Sequence, residues 1–200
     1  LKHPALDIPY EGAKAYCEWL TVQYNAQEKR RYKKVIFRLP TMAEWKVAAL
    51  GYKDFQSWTF EENTVLAHEQ QNKKETRSYK MSEQEVSYPW ALWDWQRRNS
   101  ITNKHTCYLA NVGAPEEITC PAGIKGDGWT LTSPVGTYFA NGMGLFDVVG
   151  NLAEMIDEEG KAMGGSWRQP PEECTIHSVL DYEGSDTRVG ARPFMEVIEQ

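Results

Sequence analysis

The sequence lacks the short motifs that announce most enzyme chemistries. Its four cysteines, Cys17, Cys107, Cys120 and Cys174, show no C-x-x-C spacing, which argues against a zinc site. Its four histidines, His3, His68, His105 and His177, are scattered and form no spaced pair of the H-x-x-x-H kind that iron or zinc chemistry uses. A nucleophile elbow, a phosphate-cradling Walker loop and a dinucleotide fingerprint are all missing. No apolar run reaches the ~18 residues of a membrane span. Positive charge is also short. With 22 Lys and Arg against 28 Asp and Glu, the net charge is −6, and no cationic footprint is available for a nucleic-acid partner. The chain opens "LKHPALDIPYEG" without an initiator methionine or a signal-like run, so it is read as a fragment whose targeting information lies elsewhere.

What is present is aromatic and turn-rich. Two hundred residues suffice for one domain with a sizeable core. The 8 Trp and 10 Tyr suit an irregular core in which wide rings fill gaps between non-parallel segments. In "IPYEGAKAYCEWLTVQYN", Ala13, Tyr16, Cys17 and Leu20 fall at helical spacing and predict an amphipathic helix. The basic "QEKRRYKKV" then reads as a solvated connection. In "IFRLPTMAEWKVAAL", Pro40 closes an extended piece, and Thr41 with Glu44 forms a T-x-x-E capping box. Trp45, Ala48 and Ala49 share one face of the helix that follows. Residues 60–87 are polar and charge-rich and read as an insertion or surface loop, with helix expected in part of 60–70. Beyond "SYPWALWDW" the chain reads as short strands and glycine-punctuated loops, from "CYLANVG" to "TRVGARPFMEV". Two helices followed by irregular β structure predict an α+β fold, with the helices packed on small antiparallel sheets. Cys107 and Cys120 bracket one loop and can pair if the compartment is oxidising, but the leading expectation is four unpaired thiols, two of them buried.

The order of motifs carries more than any one of them. "PALDIPYEGAKAYCEWL", "RLPTMAEWKVAAL", "YPW", "LANV", "DGW", "PVG", "NGMGLFDVVGNLAEM", "GGSW" and "RVGARPF" together resemble the formylglycine-generating-enzyme (sulfatase-modifying factor) family. The resemblance runs from about residue 4 to 197 and implies a loop-rich variant of the C-type lectin fold. It implies a single domain over 1–200 that lacks the family's N-terminal strand region, with 53–87 as a variable insertion. Members of the family include copper-dependent cysteine oxidases, iron-dependent sulfoxide synthases, lipoproteins of gliding motility and type IX secretion, and diversified ligand binders. Fold membership therefore leaves the function to the site.

In the copper-dependent members, two cysteines follow the GGS-aromatic motif at the second and seventh positions after the aromatic. Counted from Trp167, these positions are Gln169 and Cys174. A two-thiolate copper(I) site is thus not expected, and Cys174 is the one catalytic candidate. Arg168 or Arg188 would have to stand beside it to lower its pKa, and His177, three residues on, is a possible contact. The resemblance also implies two calcium loops, oxygen-rich as calcium prefers. One is formed by Asp147, the carbonyls of Gly150 and Leu152, and Glu154. The other is formed by Asn111, the carbonyl of Val112, Asp127 and the carbonyl of Trp129. The same residue types are also ordinary turn formers. The expectation is a non-catalytic, calcium-stabilised scaffold or protein-binding domain, exported to the periplasm or cell surface, with lipid anchoring as in the motility and secretion lipoproteins. A metal-dependent oxidase using Cys174 and a diversified ligand-binding protein are the alternatives.

Overall fold

The computed structural model describes residues 2–51, 86–90, 99–115, 119–121 and 126–200, together with the backbone of short strands between residues 64 and 82. Helix α1 spans Tyr10–Asn25 and helix α2 spans Met42–Leu50, with strand β1, Lys34–Arg38, between them. Strands β2 (Thr64–Leu66), β3 (Gln70–Asn72), β4 (Glu75–Arg77) and β5 (Lys80–Ser82) make two antiparallel pairs, β2 with β5 and β3 with β4. The helix expected within 60–70 is thus replaced by strand at Thr64–Leu66, where β-branched Thr64 and Val65 favour an extended backbone. Apart from these four strands and residues 86 and 87, the expected insertion lies outside the described residues.

The central sheet has the order β8-β7-β6-β9, built from Ala153–Met155 (β6), Lys161–Met163 (β7), Val179–Asp181 (β8) and Val189–Gly190 (β9). Its β6–β9 pair is parallel and the other pairs are antiparallel. Side chains of β6 and β7 alternate between two cores, as a two-residue period requires. Ala153, Met155 and Ala162 pack with Ala13, Cys17 and Leu39, whereas Met163 packs with Trp45, Leu50, Val112 and Val148. The fold is α+β, as the sequence predicts, but most of residues 126–152 are turns rather than the expected strands.

Helix α1 buries Ala13 and Cys17, but Tyr16 is 51% exposed and stacks on Trp19, so the predicted inward face is narrower than its apolar spacing. The same helix covers the outer edge of β1. Asn25 exchanges hydrogen bonds with the backbone of Val35 through both ends of its amide, and the Thr21 hydroxyl accepts from the Phe37 N–H. Strand β10, Phe194–Glu199, pairs with the inner edge. Val35 is thereby drawn into the core, and the solvated connection ends just before it.

Helix α2 starts on the predicted capping box, in which Thr41 Oγ1 accepts from the Glu44 N–H and the Glu44 carboxylate accepts from the Thr41 N–H. Arg38 completes this start by donating to both Glu44 carboxylate oxygens at 2.8 and 2.7 Å. The far end is closed by Asn141, whose buried amide donates to the Ala48 and Ala49 carbonyls that the helix leaves unpaired. The Arg38 bonds hold the Glu44 carboxyl down at about 2, below its ordinary 4.5. Because the folded value lies below the unfolded one, this contribution is complete above pH 4.5 and is lost as pH falls towards 2. Glu44→Gln is expected to cost about 1 kcal/mol at pH 7, the scale of a capping bond at a solvent-screened site. The cost disappears near pH 2, which paired denaturant titrations of variant and wild type would measure.

Candidate functional site

Three residues in the αL region shape the loop leading into β6. Asp147, Gly150 and Asn151 have φ of 52°, 72° and 61°. Glycine is required at 150, since a side chain there would run into the Asn111 backbone carbonyl. That close approach joins the two predicted loops. The Asn151 N–H donates to the Asn111 carbonyl at 2.7 Å. The Asn111 amide donates to the Leu131 carbonyl at 2.9 Å and to Asn151 Oδ1 at 3.2 Å. Asn151 in turn accepts from the Ser133 N–H at 2.9 Å.

The structure brings Asn111, Val112, Asp127 and Trp129 together. Asp127 Oδ2 accepts from the Val112 N–H at 2.6 Å and Oδ1 from the Trp129 N–H at 2.9 Å. Burial raises the Asp127 carboxyl above its ordinary range, and those backbone bonds pull it back in part. Among the described residues, no cationic side chain is found to act on it. Asn111 is 1% exposed, and its Oδ1 has no hydrogen-bond partner among the described residues. Its amide orientation is fixed by two acceptors on the nitrogen side, so a buried acceptor is left unsatisfied. A buried carboxylate beside an orphaned amide oxygen fits a hard, oxygen-seeking cation.

The second loop is arranged otherwise. Asp147 Oδ2 accepts from the Gly136 N–H at 2.6 Å and Oδ1 from the Tyr138 N–H at 3.3 Å. Gly150 donates its N–H to the Gly164 carbonyl, and Leu152 is buried just ahead of β6. Glu154 Oε2 accepts from Trp45 Nε1 at 2.8 Å, while Oε1 accepts from Arg192 Nε at 2.9 Å and Nη2 at 2.6 Å. Asp147 and Glu154 therefore share one neighbourhood, and Arg192 acts electrostatically on both. Here the carboxylate best placed for a metal is already committed to a guanidinium. Groups of three or more His, Cys, Asp or Glu side chains suited to a metal are absent among the described residues, so any cation held here would lean on carbonyl and amide oxygens.

Cys174 lies beside Gln169, its Sγ 3.7 Å from the Gln169 carbonyl and 3.5 Å from that of Ser166. The thiol is 0% exposed, and burial pushes it up to about 12. Glu173, Glu172 and Asp127 push it the same way, and no arginine of the described residues is among the main influences on it. Arg188 is held by Asp186, with Nε to Oδ1 at 3.0 Å. His177 Nε2 is engaged with the Val86 carbonyl at 2.8 Å, while the Cys174 Sγ is directed to the Ser166 and Gln169 carbonyls. Gln169 Oε1 is buried without a partner among the described residues. The expectation of four unpaired thiols is corrected: Cys107 and Cys120 are disulfide-bonded, because the loop they bracket brings their Cα atoms to 4.8 Å, while Cys17 and Cys174 are free and buried.

Sequence reasoning missed Asn151, Ser133, Trp45 and Arg192 as parts of this site. The "GN" at 150–151 signals a left-handed turn, but nothing local to "GARPF" points to a carboxylate 38 positions earlier.

Comparison with known proteins agrees with this architecture. A formylglycine-generating enzyme from Thermomonospora curvata is 26% identical over 154 residues, covering 76% of this chain and 32% of that protein. One from Mycobacterium tuberculosis is 27% identical over 158 residues, covering 78% and 34%. The chain thus spans about a third of the length of the curated relatives it matches. Among solved structures, Treponema denticola variable protein 1 aligns with a TM-score of 0.57 at 16% identity, covering 98% of this chain and 72% of that one. PvdO from Pseudomonas aeruginosa aligns at 0.53 and 16%, covering 98% and 63%. CarF aligns at 0.52 and 17%, covering 99% and 69%. These structural likenesses speak for the fold. The family of the sulfatase-modifying factor enzyme 1-like domain matches residues 1–186, and the chain belongs to that family.

Proposed function

We propose that this chain is a non-catalytic member of its family, a calcium-stabilised scaffold or binding domain of an exported protein. The observation that carries the reading is the state of Cys174. The one thiol at the position of the family's cysteine pair is fully buried, pushed up to about 12 and opposed by Gln169. Thiolate is the form that attacks substrates and ligates copper(I), and burial suppresses it here. Calcium is proposed at Asn111, the Val112 carbonyl, Asp127 and the Trp129 carbonyl, where the orphaned Asn111 oxygen and the buried Asp127 carboxylate, which meets no cationic side chain among the described residues, favour it. Bound there, the ion would hold together turns that have little sheet or helix of their own, and would stabilise the folded chain by linkage.

The Cys107–Cys120 disulfide supports an oxidising, exported location. A protein partner is favoured by apolar side chains left outside, among them Phe139 at 82% exposure, Leu131 and Val135. The motility and secretion lipoproteins, lipid-anchored at the cell surface, are the analogy within the family. A diversified ligand binder is the second reading, favoured by the fold shared with a protein named for its variability.

Thiol accessibility tests the non-catalytic reading. Ellman's reagent at pH 8 is expected to leave both Cys17 and Cys174 unreacted until denaturant is added. Rapid modification of Cys174 in the folded chain, lost in Cys174→Ser, would restore a redox role.

A further inference from the structure

We propose that the Arg192 guanidinium braces the Asp147–Glu154 loop where the family pattern has a second calcium, so that this chain holds calcium at the Asn111–Trp129 loop alone. The inference rests on the calcium reading above for that first loop and departs from it for the second.

The donor set decides between metal and guanidinium. Glu154 Oε1 receives two charge-assisted bonds from Arg192, Nε at 2.9 Å and Nη2 at 2.6 Å, both from one side of the oxygen. Oε2 receives the Trp45 indole N–H at 2.8 Å. A divalent ion would bind the same oxygen that already faces a full positive charge, and the two cations would repel across a few ångströms. The Glu154 side chain is 8% exposed, so water does little to screen that repulsion.

Arg192 also does the mechanical work expected of an ion. Its Nη2 donates to the Phe146 carbonyl at 2.9 Å, so one guanidinium ties residue 146 to residue 154 across the turn. Its charge lowers the Asp147 carboxyl that burial and Glu154 raise. The first loop shows the opposite state: among the described residues its buried carboxylate has no cationic neighbour and its buried amide oxygen no donor. Asn111 and Asn151 bond the two loops to each other. One metal and one guanidinium would then brace a single joined unit. Arg192, Asp147 and Glu154 all line a cavity of about 960 Å³.

Calcium titration by isothermal calorimetry on the disulfide-intact chain tests this, with melting curves in EDTA and in excess calcium. Wild type and Glu154→Gln are each expected to bind one ion, and Asp127→Asn none. Arg192→Gln is expected to melt at least about 5 °C lower than wild type in EDTA. Two ions in wild type, with one lost in Glu154→Gln, would overturn the inference. So would an Arg192→Gln chain that melts like wild type in EDTA. Absence of any bound ion, with Arg192→Gln still destabilised, would sink the Asn111 calcium reading and uphold the guanidinium brace. Should Glu154→Gln fail to fold, the wild-type stoichiometry and the Arg192→Gln melting shift decide the matter.

Discussion

Gly150→Ala is expected to destabilise the chain by about 3 kcal/mol or more, enough to lower the melting temperature by roughly 6–12 °C in a domain of this size. Two physical costs add. Gly150 sits at φ 72°, where an L side chain is strained. The added methyl would also meet the Asn111 carbonyl carbon at 3.1 Å and the Ala110 side chain at 3.2 Å, besides the carbonyl oxygen itself. Backbone on the opposing loop cannot rotate away as a side chain can. The Asn151-to-Asn111 bond would have to stretch, and with it the amide network that joins the loops. Gly144→Ala is the control. Gly144 has φ 82° but nothing within 4 Å of an added methyl, so its cost is conformational only, about 1 kcal/mol. Equal losses in the two variants would show that loop approach contributes nothing.

Glu154→Ala is expected to cost about 3 kcal/mol, the low end of the scale for removing one partner of a buried ion pair, because Arg192 keeps 32% of its side chain exposed. Its removal strands Arg192 and leaves the Trp45 indole N–H without an acceptor inside the core. Arg192→Met in the same chain should return part of that loss, because it removes the uncompensated charge while keeping an apolar stem. Chemical denaturation of the two single variants and the double variant gives the coupling directly. Additive losses would mean that the pair is not a unit.

Much of this arrangement was legible in the sequence, and the parts that were not have physical reasons. The capping box at Thr41 and Glu44 was readable because its partners lie three residues apart and its bonds are local. The fold was readable because its turn residues recur in order, and glycines such as Gly150 are fixed by backbone geometry. Tyr16 went wrong because helical spacing identifies an apolar stripe but does not say how wide the buried part is. Arg192 and Asn151 were invisible as site residues because their partners come from distant segments, and no periodicity encodes a contact between residues 154 and 192. Cys174 was marked by its position after "GGSW", yet only packing could decide that its thiol is buried without a cation.

The central claim is that the place where the family keeps its paired cysteines is a packed, structural position in this chain. Anaerobic copper(I) titration, followed by oxygen uptake with a cysteine-containing peptide, tests it most directly. The account predicts that Cys174→Ser binds copper(I) no more weakly than wild type, and that neither consumes oxygen above the rate of copper alone. Tight stoichiometric copper(I) binding with peptide oxidation, both lost in Cys174→Ser, would contradict it.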